Sequence, residues 1–323
     1  MPFLTVDRGA FLARISSDKG DLELAGPDLQ GNPLANVLKF GPLEVTTAAG
    51  VMKIGRISAS TTIVAGLELQ QDLGGKTITT RLTFPHDGVM RYEVVDWQNT
   101  NPLKVSISGP SDSHEHFYGF GEKFNALDQA GHQIRMVTFD SPGQKGDRSY
   151  KVVPWFVSTR GYGFHFDSTA ESTFDMRATH PDRYVITSSF PKLRFNVVYG
   201  PKLTDVLTRY TAYTGRPHLP PQWAFGPWIS SDIWRSGGEV RYAVEKFRAL
   251  GIPASGFVFD SPWETAYNDF RFNMEQFGAK GHFEGNDYDG FSSAVEMMSF
   301  LQQRGPKVIC CMTPFVNDKS TTG

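Results

Sequence analysis

The chain has 323 residues, of which 40% are hydrophobic and 20% charged, enough for two domains with cores of ordinary size. Its 32 Lys and Arg nearly balance 34 Asp and Glu, and the formal charge of -2 gives no electrostatic reason to expect a nucleic acid or an anionic membrane as partner. A neutral ligand suits such a chain.

The first residues, Met1 to Arg8, lack the basic start and long apolar core of a signal peptide. No later segment approaches the apolar length of a membrane span, so the expected setting is cytoplasmic. Up to about residue 200 the apolar pattern has period two: Ile78, Leu82 and Phe84; Tyr92 and Val94; Leu193, Phe195 and Val197 with Arg194 and Asn196 between them. That alternation predicts strands with one face buried and the other wet. Turn signals recur between the runs, among them Asp72-Leu73-Gly74-Gly75, Pro85-His86-Asp87-Gly88 and Arg160-Gly161-Tyr162-Gly163. Many short antiparallel strands of this kind favour a β-sandwich.

The period then becomes helical, with Leu203, Val206, Leu207 and Tyr210 on one face, until Gly215-Arg216-Pro217-His218-Leu219-Pro220-Pro221 breaks it. The boundary is placed there, giving domains 1–215 and 216–323. Beyond it a strand is expected around Trp223 to Trp228, then Ser236-Gly237-Gly238-Glu239 as a capping box opening a helix with Val240, Val244, Phe247 and Leu250 as its stripe. Gly251 closes that helix, and Phe257-Val258-Phe259 reads as the next buried strand, ending at Asp260. A second helix carrying Phe291, Val295, Met298 and Leu301 stops at Gly305, and the run Val308 to Met312 supplies a third strand. The order βαβαβ implies a parallel sheet, the opening of an α/β barrel.

Ligands of parallel α/β folds bind outside the carboxyl ends of the strands. Three segments qualify: Ser230, Ser231, Asp232 and Ile233; Asp260-Ser261-Pro262-Trp263; and Thr313-Pro314-Phe315-Val316-Asn317. An acid at a strand end with a Trp three residues on suits hydroxyl recognition beside a stacking ring, and a loop-capping Asp is the alternative for Asp260. His114-Glu115-His116 would place two imidazoles on one face of a strand, yet no third ligand is in sight, so no metal is expected. Gly119-Phe120-Gly121 is not followed by the third glycine of a dinucleotide loop, and no cofactor is expected. Cys310 and Cys311, the only cysteines, suggest neither a disulfide framework nor a zinc site.

Several motifs in order carry a resemblance. Phe117-Tyr118-Gly119-Phe120-Gly121-Glu122-Lys123-Phe124, Tyr150-Lys151-Val152-Val153-Pro154 and Arg160-Gly161-Tyr162-Gly163 resemble the sandwich domain of glycoside hydrolase family 31. Tyr213-Thr214-Gly215-Arg216-Pro217 and Leu219-Pro220-Pro221-Gln222-Trp223-Ala224-Phe225-Gly226 resemble its entry into the barrel. Phe259-Asp260-Ser261-Pro262-Trp263, Asn268-Asp269-Phe270 and Pro314-Phe315-Val316-Asn317 follow in the family's order.

The resemblance implies an N-terminal antiparallel β-sandwich followed by the first strands and helices of a (β/α)8 barrel, truncated. It implies a retaining α-glycosidase acting on terminal α-linked glucosyl or related residues of oligosaccharides. A transglycosylase of the same family and a non-catalytic carbohydrate-binding module are the alternatives. The family's nucleophile and acid/base are Asp residues on later barrel strands; no position here matches them, so they are expected beyond Gly323, on a remainder of the barrel that would be this chain's partner. A homo-oligomer is left open. By the same resemblance Asp260 is the acid that accepts hydrogen bonds from hydroxyls of the non-reducing sugar, and Asp140 is the acid sent over the barrel mouth by the sandwich. Trp228, Ile233, Ser261 and Trp263 are further candidates for lining the pocket. Two departures stand out: family α-xylosidases carry aromatics where Ile233 and Cys311 stand, and a longer loop, Phe277 to Gly290, replaces a short turn, as an insertion near the entrance would.

Overall fold

A computed structural model describes residues 3–139, 146–260 and 262–313. The chain divides into two compact units, Met1–Arg216 and Pro217–Gly323.

In the first unit, strands Phe3–Asp7, Leu12–Ser16, Leu22–Gly26 and Asn36–Phe40 form a four-stranded antiparallel sheet. A thirteen-stranded sheet begins at strand Phe117–Gly121 and ends at strand Gln133–Met136. It folds back on itself, because rings from opposite ends of that order touch: Phe120 lies 5.5 Å from Phe174, and Phe117 lies 5.8 Å from Tyr184. Two facing layers thereby enclose one core, to which Leu24, Leu38 and Phe40 of the smaller sheet also belong. Each fully enclosed aliphatic or aromatic side chain there contributes about 1.5–3 kcal/mol.

The alternation holds along Lys76–His86, where Ile78, Thr80, Leu82 and Phe84 are buried. The preceding turn has Gly74 at φ 60 and Gly75 at φ 86, the two positive angles of the hairpin turn whose twist matches the strands it joins. Strand Arg194–Tyr199 breaks the expected pattern. Asn196 and Val198 are as buried as Phe195 and Val197, since helix α1 (Leu203–Thr214) covers the face that alternation would leave wet. Asn196 is accommodated by a hydrogen bond from Arg91 Nε at 3.0 Å. The buried stripe of α1 is also rotated from expectation: Val206 is enclosed and Tyr210 stacks on Trp155 with centroids 3.7 Å apart, whereas Leu203 and Leu207 are exposed. His114 and His116 are not on a strand; they are exposed and flank the buried Glu115.

In the second unit, strands Trp228–Ser231, Gly256–Phe259 and Lys307–Cys310 lie side by side in chain order, all parallel. The first begins later than the sequence suggests: Gln222–Phe225 is a 3-10 turn, and Pro227 has no N–H for a ladder. Helix α2 (Gly237–Ala249) is capped by Ser236, whose Oγ accepts from Glu239 N at 3.0 Å. The Glu239 carboxylate turns back to Arg235 N at 2.6 Å rather than to Ser236 N, so half of the expected box forms. Gly251 adopts φ 66 beyond the helix end, with Leu250 exposed rather than in the stripe. A short helix, α3 (Met274–Phe277), precedes α4 (Ala294–Arg304), whose buried side chains are Met297, Phe300 and Leu301. Val295 faces solvent and Phe291 is buried ahead of the helix.

The inserted loop is a β-hairpin, Gly281–Phe283 paired with Asn286–Tyr288, lying along α2. Its base meets Gly238, where a Cβ would fall 2.1 Å from Gly281 N, so only glycine permits the approach. Its tip carries Glu284, whose carboxylate takes Lys246 Nζ at 2.7 Å, two turns further along the helix. Tyr242 stacks on Phe283 at 4.6 Å between those points. The hairpin therefore runs down α2, away from the strand tips, and braces the helix rather than covering an entrance.

Candidate functional site

The three parallel strands end in register: Ser231, Phe259 and Cys310 stand side by side. The residues after them form the carboxyl-end surface on which such sheets place ligands. Asp260, half-buried, follows Phe259 directly at the tip of the central strand. Ile233 is 54% exposed two residues past the first strand, where Ser231 Oγ donates to its carbonyl at 3.1 Å. Both therefore lie at the same end of the sheet. Beside Ile233, Trp234 turns inward, donating from Nε1 to Val258 O at 2.8 Å and stacking on Phe257 at 4.7 Å.

Trp263 is also at this end, but as a brace. It is only 5% exposed, its ring lies 4.6 Å from Phe272, and Nε1 donates to Cys311 O at 2.8 Å, tying the second loop to the end of the third strand. Trp228 is not brought to the tips. It opens the first strand beside Gly256, three residues from Ser231, about 10 Å down the sheet, and stacks on Trp223 at 6.0 Å. Asp140 and Ser261 lie outside the described residues, as do Pro314 to Asn317.

The loop after Asp260 contains groups that spacing did not single out. Glu264 accepts from Asn268 N at 2.7 Å and from Phe270 N at 3.0 Å. Asn268 and Phe270 are both in the left-handed region, at φ 59 and 58, a conformation costing on the order of 1 kcal/mol or more for non-glycine residues. One carboxylate thus holds two unfavourable residues in place. Asn268 Nδ2 donates to Thr313 O at 2.8 Å, a second tie to the third strand. The Thr265 hydroxyl and the Arg271 N–H bond the Asp269 carboxylate and hold its pKa below the ordinary value. Phe270 remains 58% exposed, an aromatic ring fixed on a rigid loop at the strand tips. Its signal in the sequence was the Asn268-Asp269-Phe270 motif, whose left-handed conformation was not readable. Among the described residues no cluster of His, Cys, Asp and Glu could hold a metal ion.

An antiparallel sandwich followed along the chain by parallel βα units is the architecture of a barrel enzyme with an N-terminal accessory domain. The chain belongs to glycoside hydrolase family 31: residues 43–175 match the Glycosyl hydrolase 31 N-terminal galactose mutarotase-like domain, and residues 217–322 match the Glycosyl hydrolases family 31 TIM-barrel domain. It is 25% identical over 282 residues to Alpha-xylosidase XylQ of Lactiplantibacillus pentosus, covering 86% of this chain and 34% of that protein. Alpha-glucosidase 2 of Bacillus thermoamyloliquefaciens is 31% identical over 213 residues, 64% of this chain and 25% of its own length. The chain thus spans between a quarter and a third of these relatives. In fold it is similar to a Flavobacterium johnsoniae GH31 dextranase complexed with glucose, with a TM-score of 0.62 and 18% identity, covering 100% of this chain and 39% of that one.

Proposed function

We propose that this chain supplies the sugar-gripping part of the first subsite of a retaining α-glycosidase that removes terminal α-linked glucosyl or related residues from oligosaccharides. The observation that carries the reading is the position of Asp260: an acid at the tip of the central parallel strand, within the segment that matches the family's barrel. A carboxylate there accepts hydrogen bonds from hydroxyls of the non-reducing sugar, each such charged bond contributing about 1.5–3 kcal/mol. Ile233, exposed beside it, forms a wall without the aromatic ring of family α-xylosidases, and so favours a glucosyl over a xylosyl ring. Asp140 is proposed, on the family resemblance alone, as a second acid that binds the sugar.

Retention needs two carboxyl groups about 5–5.5 Å apart, one to attack the anomeric carbon and one to protonate the leaving oxygen. No residue of this chain is assigned either role. Its part is to bind and orient the ring, which converts binding energy into correct placement for attack. In the protein carrying this chain, Asp260→Asn should lower kcat/KM on p-nitrophenyl α-glucoside by about 100-fold, the loss of roughly one strong charge-assisted bond in the transition state. Unchanged efficiency, with the variant folded as the parent, would remove Asp260 from the site.

A further inference from the structure

A groove of about 770 Å³ runs between the four-stranded sheet and the larger sheet of the first unit, a volume in the range of small-ligand sites. Its walls are charged, but the signs alternate. Glu23 lies 3.2 Å from Arg14 and 3.7 Å from Lys39, and Lys53 lies 3.9 Å from Glu44. Arg183 holds Asp182 at 3.2 Å and approaches His180 Nδ1 at 3.2 Å. Four acids, Asp21, Glu23, Glu44 and Asp182, face Lys39, Lys53 and Arg183, so the lining is close to neutral and offers little attraction to a phosphate or a polyanion. The Lys39 and Lys53 ammonium groups are largely exposed, and their pairs at 3.7 and 3.9 Å are weak and exchange readily for other partners. A hydroxyl can do both jobs at once, donating to a carboxylate and accepting from the neighbouring ammonium. Phe3, 36% exposed on the rim, adds an apolar ring with the Arg14 guanidinium 5.5 Å from its centroid on one side, while Phe40 and Leu22 close the floor.

We propose that this groove is a second sugar site, taking an α-linked gluco-oligosaccharide with one ring against Phe3 and vicinal hydroxyls bridging Glu23 and Lys39. The choice of sugar rests on the α-glycosidase reading above. The site itself uses first-unit residues alone, and nothing in it requires the strand tips.

The test is native gel electrophoresis of the 323-residue chain through gels containing dextran or soluble starch, with calorimetric titration by isomaltotriose and maltotriose. The parent should be retarded by one of the two polymers. Phe3→Ala and the double variant Glu23→Gln/Lys39→Ala, which change only partly exposed side chains, should each weaken binding by about fivefold or more, with circular dichroism spectra unchanged. Asp260→Asn should leave the retardation in place. Loss of retardation in Asp260→Asn but not in the groove variants would overturn the groove and leave the strand-tip reading standing. Loss in the groove variants, with retardation kept in Asp260→Asn, would support the groove. A parent that neither polymer retards and neither trisaccharide binds overturns the proposal.

Discussion

Glu115 lies between two exposed histidines in the sequence, and its own side chain is fully enclosed. It accepts from Ser158 Oγ and, at 2.9 Å, from Tyr162 OH, while Arg160 approaches its other oxygen at 3.8 Å. Removing it would leave buried donors without an acceptor. Glu115→Ala is accordingly expected to destabilise the protein by about 2–4 kcal/mol, and Glu115→Gln by less, as read by chemical denaturation. A smaller change on Ala substitution than on Gln would contradict this account. The residue was legible only as a member of a His-Glu-His run, because its partners come from positions 158 to 162. The site shows the same limit. The position of Asp260 at a strand tip was legible because it ends an apolar run. Trp263 was read as a stacking ring, whereas its indole N–H closes onto Cys311 O, a bond between residues that pattern cannot pair. Trp228 was placed near the pocket because the first strand was expected to start too early. Glu264→Ala should loosen the loop that holds Phe270 and raise amide exchange at Asn268 and Phe270, with little effect on global stability.

Elements were legible wherever one surface decided their pattern. Strand Lys76–His86 alternates as expected, and α2 begins after its cap Ser236 and ends before Gly251. The exceptions are elements covered on a second side. The covering helix α1 encloses Asn196 and half-buries His165, which lies on the same face, and the lost hydration lowers the His165 pKa, an effect that the nearby Asp167 carboxylate opposes and that Arg91 and Arg194 reinforce. An imidazole whose folded pKa lies below its unfolded value takes up protons more readily when unfolded. Stability from this residue is therefore fully present above about pH 6.5 and is lost as pH falls from there toward the lowered folded value. Thermal unfolding between pH 7.5 and 5.5 should show a smaller acid-side decline in His165→Gln than in the parent, and an equal decline would refute the assignment. The hairpin after α3 is the other element pattern reading missed. Its strands are too short for a period, and its fit depends on Tyr242, Lys246 and Gly238 of α2. Replacing residues 280–289 by a tight turn should cost about 1–3 kcal/mol through the exposed Tyr242 surface, without altering sugar binding at the strand tips.

At the scale of the molecule, an antiparallel sandwich with α1 packed on it makes up one compact unit, Met1–Arg216, and a parallel βα segment the other, Pro217–Gly323. Pattern did not link Asp140 to Asp260; only the resemblance to the family did. The central claim is that the carboxyl ends of the parallel strands grip a terminal sugar through Asp260. The direct measurement is a crystal structure of the protein carrying this chain, grown with isomaltotriose in the Glu23→Gln/Lys39→Ala background so that the groove is silent. The account predicts the non-reducing glucosyl ring at the strand tips, with at least one hydroxyl within hydrogen-bond distance of the Asp260 carboxylate. A trisaccharide bound elsewhere, with Asp260 turned away from it, would contradict it.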